Sequence, residues 1–182
     1  MTYDPKRPSW NDLERIWQKW THLEMPPSII QSLERAEAAL RDFLFELEFK
    51  SVRHGSVSPD QAASARRGAD LAEAMATSVR GSFMIGLELA TRLREAPSGA
   101  DALFNEAAAL LDAAAEPPLL AGMSYIIPMQ KANKLSTTEA QSLTERLRTL
   151  VKSMTLSGYS IGTQYSRELP PSPPRPANGG KT

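Results

Sequence analysis

Apolar residues recur along this chain at intervals of three and four, the period of helices that bury one side. Trp10, Leu13, Trp17 and Trp20, flanked by Ile16 and Leu23, predict a first helix over residues 9–24. Pro26-Pro27 stops it, because proline drives the residue before it out of helical geometry. Ile29, Leu33, Ala36, Leu40, Phe43 and Leu47 form the stripe of a second helix. It is expected to open on a capping box of Ser28 and Gln31, to fade near Arg53 and to stop at His54-Gly55. Ser58-Pro59-Asp60-Gln61 is the sharpest start signal: a capping serine, a proline suited to the first position, an acid facing the dipole and a box-closing glutamine. The helix behind it is expected to reach Glu95, about 55 Å away at the α-helical rise. One stripe runs through Ala62, Ala65, Ala69, Ala72, Ala76, Val79, Phe83, Gly86, Ala90 and Leu93, and a second through Leu71, Met75, Ser78, Ser82, Ile85 and Leu89. An apolar surface this wide predicts a central helix with several neighbours. Gly68, Gly81 and Gly86 are candidate kink sites within it.

Ser98 and Asp101 predict another capping box, opening a helix through Leu103, Ala107, Leu110 and Ala114 that Pro117-Pro118 closes. Residues 119–133 read as one or two short helical turns interrupted at Pro128. Ser136-Thr137-Thr138-Glu139 then opens a helix with Ala140, Leu143, Leu147, Leu150, Met154 and Ser157 in line, ending near Gly158. Beyond Arg167 the chain reads ELPPSPPRPANGGKT, too poor in apolar residues to offset the entropy of ordering it. Strand patterns and fixed-period repeats are missing from the sequence. The prediction is an all-α protein: a helical bundle of five to six helices with a long central helix and a disordered Pro-rich C-terminal tail. Its parts are a Trp-rich N-terminal helix and linker (1–27), the bundle (28–168) and the tail (169–182).

A length of 182 residues with 41% hydrophobic content suits one folded domain. Mean hydropathy is -0.35, and no apolar run approaches the roughly 18 residues a spanning helix needs. The basic residues near the N-terminus have no apolar stretch behind them, so no secretory signal is expected and the reading is cytoplasmic, with no membrane contact. The absence of cysteine removes disulfides, thiolate metal sites and cysteine nucleophiles together. With 21 basic and 21 acidic residues, the chain lacks the cationic excess usual in a free-standing DNA-binding domain.

Catalytic patterns fail on inspection. A di-iron bundle needs Glu-x-x-His pairs, yet Lys19 and Ser51 stand three residues before His22 and His54. Residues 158–162 spell Gly-x-Ser-x-Gly, but a helix precedes them where a nucleophile elbow needs a strand. Glu34 with Glu37, and Glu46 with Glu48, are spaced like a solvated helix face. No catalytic, cofactor-binding or metal-binding residue is predicted, and the chain reads as a non-enzyme.

Residues 158–167 resemble the turn and recognition-helix start of helix-turn-helix proteins, where a glycine turn leads into Ser and Thr that meet phosphates or base edges. That resemblance implies nucleic-acid contacts at Ser160, Thr163 and Arg167, supported by Arg146, Arg148 and Lys152 upstream. The plainer account makes Gly158 the cap of the last helix, followed by an irregular segment.

Two apolar features suggest a protein partner or self-association. Trp10, Trp17 and Trp20 either pack the first helix onto the bundle or anchor it in a partner's groove. The dense segment 119–129 either plugs the bundle end or presents Leu120, Met123, Tyr125 and Ile127 to a partner. In the tail, Pro170, Pro173 and Arg175 match a proline-groove ligand. The expectation is a helical subunit or adaptor of a larger assembly, with a nucleic-acid-binding accessory subunit as the alternative.

Overall fold

A computed structural model describes residues 26–56, 60–95 and 97–168, together with Arg15 and Gln18. Among the described residues there are four α-helices and no strand: α1 (Pro27–Arg53), α2 (Gln61–Glu95), α3 (Ala100–Lys131) and α4 (Thr137–Glu168), with one 3-10 turn at Pro97–Gly99 before α3. The all-α architecture holds, while the expected five to six helices are corrected to these four. Of the helix predicted over residues 9–24, only Arg15 and Gln18 are described, both helical and exposed. Trp10, Trp17 and Trp20, the Ser58 start signal and the tail lie outside the described residues.

Tertiary packing overrides the proline breakers. Pro117, Pro118 and Pro128 all lie inside α3, which runs without interruption where a helix and separate short turns were expected. An interior proline costs about 3 kcal/mol through its missing donor and its clash with the carbonyl four residues back. Against that cost, the inward positions Ala107, Ala114, Pro118, Gly122, Tyr125, Ile126 and Met129 stay in register on both sides of the prolines. Breaking the helix there would expose one half of that seam.

Two of the three expected capping boxes within the described residues do not form. Pro26 occupies the N-cap of α1 and Pro27 its first turn, which places Ser28 inside the helix. Gly99 caps α3, and no side chain completes the box with Asp101. The third forms as expected. The Ser136 N–H and hydroxyl both donate to Glu139 Oε2 at 2.8 Å, and the Glu139 N–H donates to Ser136 Oγ at 3.2 Å. These two donors hold the Glu139 carboxyl below its ordinary pKa. Gly55 ends α1 as predicted, at φ 65°, with the Gly55 N–H donating to Val52 O and the Ser56 N–H to Ser51 O. Asn133 plays the same part after α3, at φ 55°.

α2 is continuous through its glycines, and every position from 77 to 89 is buried. In its first half the expected alanine stripe is corrected: Ala65, Ala69 and Ala72 face solvent, and Leu71 and Met75 turn inward. Leu71, Met75, Val79, Phe83 and Leu87 join Leu33, Leu40, Phe43 and Leu47 of α1 and Leu147, Val151 and Met154 of α4 in the main core. A second cluster gathers Ile85 and Leu89 with Leu103, Ala107 and Ala114 of α3.

The closest approach is between α2 and α4. A Cβ on Gly158 would lie 2.8 Å from the Val79 carbonyl oxygen, one on Gly162 would overlap the Phe83 carbonyl, and one on Gly86 would overlap that of Tyr159. Residue numbers rise together along this seam, so the two helices run parallel with main chain against main chain. Gly158 and Gly162, four residues apart, share one face of α4, and buried Ser166 continues it.

Candidate functional site

α3 and α4 run antiparallel, with Gly122 against Leu147 and Met123 near Thr144. Toward the other end of the pair their surfaces part into a groove of about 430 Å³. Ala108, Leu111, Ala115 and Leu119 of α3 line one side, and Val151, Thr155 and Leu156 of α4 the other. The α3 positions keep helical spacing and therefore form a continuous apolar strip. Leu156 remains 49% exposed. Asp112 stands on the α3 lip, with Arg148 and Lys152 on the α4 lip. Arg148 Nη1 pairs with Glu145 at 2.6 Å between two exposed side chains, a contact of little energetic weight in water.

The candidate nucleic-acid residues divide. At about 100° per residue, Arg148, Lys152, Ser160, Thr163 and Arg167 share one side of α4. Arg146 lies apart, 3.2 Å from Glu46 of α1 and with its guanidinium 4.5 Å from the Phe43 ring centre. The turn-and-recognition-helix resemblance at residues 158–167 is corrected. Those residues continue α4, and Gly158 and Gly162 are buried against α2 instead of forming a turn. The alternative in which Gly158 caps the helix is corrected by the same finding.

The candidate partner-facing segment divides too. Leu120 and Ile127 lie on the outer side of α3, 62% and 40% exposed, whereas Met123 is half-buried against the core and beside Thr144 of α4. Leu120 also edges a second groove of about 430 Å³, shared with Asp70, Glu73, Thr77, Glu116 and Pro117. Tyr125 is 2% exposed and does not belong to a surface patch. It sits instead at a buried polar junction of three helices. Arg67 of α2 hydrogen-bonds to it and approaches Glu48 of α1 at 3.4 Å. Burial, aided by the Glu48 charge and opposed by Arg67, pushes the Tyr125 hydroxyl up to about 12.

A second buried charge lies between α1 and α2. Arg80 is 2% exposed, with Nε donating to Ala76 O at 2.8 Å and Nη2 3.3 Å from Glu73. Burial lowers its pKa, opposed by the Glu73 and Glu37 charges, and burial likewise raises Glu37. Arg80 and Glu37 line neither groove, although the Arg80 partner Glu73 borders the one beside Leu120, and the pair reads as structural. Among the described residues no three His, Asp or Glu side chains converge as a metal site, and no helix is long and apolar enough to cross a membrane.

The sequence reading missed the groove strip and its Asp112 and Leu156 rims. The 4-4-3 recurrence of Leu119, Ala115, Leu111 and Ala108 was the available signal, hidden by ending the helix at Pro117. No family model matches this chain, and neither the curated proteins nor the solved structures offer a significant match.

Proposed function

We propose that this chain is a non-enzymatic helical interaction protein that receives an amphipathic helix in the groove between α3 and α4. The observation that carries this reading is an apolar strip left open along two helices and rimmed by Asp112, Arg148 and Lys152. Helix-in-groove recognition uses such a strip, with anchors at successive turns and rim charges setting register. Affinity purification of the full chain at native expression level tests it, comparing the natural sequence with Leu156→Glu and Lys152→Glu. A partner retained by the first and lost by both variants, with unchanged circular dichroism, supports the reading. An identical set of recovered proteins dismisses it.

A second reading, a nucleic-acid-binding accessory subunit, is favoured by one observation: Arg148, Lys152 and Arg167 share a side of α4. It requires salt-dependent binding to DNA or RNA that weakens when these three become alanine.

A further inference from the structure

The apolar strip of the groove between α3 and α4 continues one turn beyond Ala108. Phe104 stands on the same side of α3 and is 51% exposed. From Phe104 through Ala108, Leu111 and Ala115 to Leu119 the strip is about 22 Å long, or about four helical turns. On the floor, the buried Thr155 hydroxyl is turned back to the Val151 carbonyl of its own helix, so the floor favours apolar side chains. The lips differ in charge. Arg148 and Lys152, one turn apart, stand on α4, and Asp112 stands on α3. Neither Lys152 nor Asp112 has an ion pair among the described residues.

Another described surface of this chain complements that groove. On α1, Phe45 and Phe49 stand one turn apart and are 45% and 70% exposed. At about 100° per residue, exposed Asp42 and Glu46 border them on one flank, and Arg41 stands on the other. Glu46 pairs with Arg146 at 3.2 Å between two exposed side chains, a contact easily exchanged in water. We propose that this face of α1, supplied by a second copy of the chain, is the helix that the groove receives. Phe45 and Phe49 then meet the apolar strip, while Asp42 and Glu46 meet Arg148 and Lys152. The proposal rests on the groove reading above and names its occupant. A molecule cannot fill its own groove with α1, because Arg146, which holds Phe43 and Glu46, lies about 160° round α4 from Arg148. Phe43 is turned about as far from Phe45 on α1. Groove and phenylalanine face therefore lie on different sides of one molecule, and the contact runs head to tail from copy to copy.

Sedimentation of the full chain tests this. The average mass should rise with concentration past that of a dimer, since a head-to-tail contact leaves a groove and an α1 face free at the two ends. It should fall as salt is raised. Arg148→Glu with Lys152→Glu spoils the lip, and Phe45→Ser with Phe49→Ser spoils the α1 face. Each exposed pair of substitutions, with unchanged circular dichroism, should weaken association about tenfold or more. An equimolar mixture of the two variants should form a dimer of one copy of each and nothing larger. The first variant keeps its α1 face and the second its groove. A natural chain that stays monomeric up to about 1 mM, a variant that associates as the natural chain does, or a mixture without dimer overturns the proposal. If such a monomer still captures another protein through Leu156 and Lys152, the groove reading stands and the second copy is the wrong occupant. If it captures none, both fall.

Discussion

Gly162 of α4 lies against the main-chain carbonyl of Phe83 in α2 so closely that a single methyl group there would overlap that oxygen and stand 2.8 Å from Leu87 N. Neither obstacle can rotate away, since both belong to a helix backbone. Replacing Gly162 with alanine therefore sets two effects against each other. Helix propensity favours alanine by about 1 kcal/mol. Forcing apart two packed helices costs more, and a net loss of about 2–4 kcal/mol is expected. Urea unfolding at constant m-value measures it. Gly68→Ala is the internal control, because nothing lies within 4 Å of a Cβ there, and it should leave stability equal or raised. If both variants respond alike, the seam is not what the glycine serves.

Pro117→Ala tests whether α3 is one helix. Within a continuous helix, alanine restores a donor and removes a clash worth about 3 kcal/mol, less about 1 kcal/mol for the freer unfolded chain. A gain of about 1–2 kcal/mol with unchanged helicity is expected, read from the urea midpoint and far-ultraviolet dichroism. Were Pro117 the stop between two helices, the substitution would remove a designed turn and lower stability.

Tyr125→Phe probes the junction of Glu48, Arg67 and Tyr125. A hydroxyl raised from the usual tyrosine value to about 12 contributes stability that is fully present below about pH 10. That contribution fades as pH rises from the unfolded value through the folded one. The natural chain should thus lose urea resistance between about pH 10 and 12. Tyr125→Phe should lose less over that window, while costing about 1 kcal/mol at neutral pH for the missing hydrogen bond. Tyr159, also raised by burial, leaves a residual alkaline slope in the variant. Equal slopes would show that Tyr125 ionises as freely in the fold as out of it.

What could be read in advance follows from how local each determinant is. The stripe Ile29-Leu33-Leu40-Leu47 of α1, the stop at Gly55 and the Ser136–Glu139 box depend on neighbours within a few residues, and they stand where expected. Gly158 and Pro117 are different. Each is a breaker by local preference, and each sits inside a helix because a distant partner compensates: Val79 and Ser82 across the seam for Gly158, the inward face of α3 for Pro117. The same misreading hid the candidate groove, whose strip crosses the expected helix end. Tyr125 was misplaced because its ring reads as apolar and its partners, Glu48 and Arg67, lie on two other helices.

The glycine seam has a bearing on recognition. α4 is clamped to α2 along Gly158 and Gly162, and on the adjoining side it presents the lip that carries Arg148, Lys152 and Leu156. A helix clamped main chain to main chain has little freedom left to surrender. Whatever settles beside Leu156 meets an edge preorganised before it arrives, so the entropy of shaping the receptor falls on the incoming molecule instead.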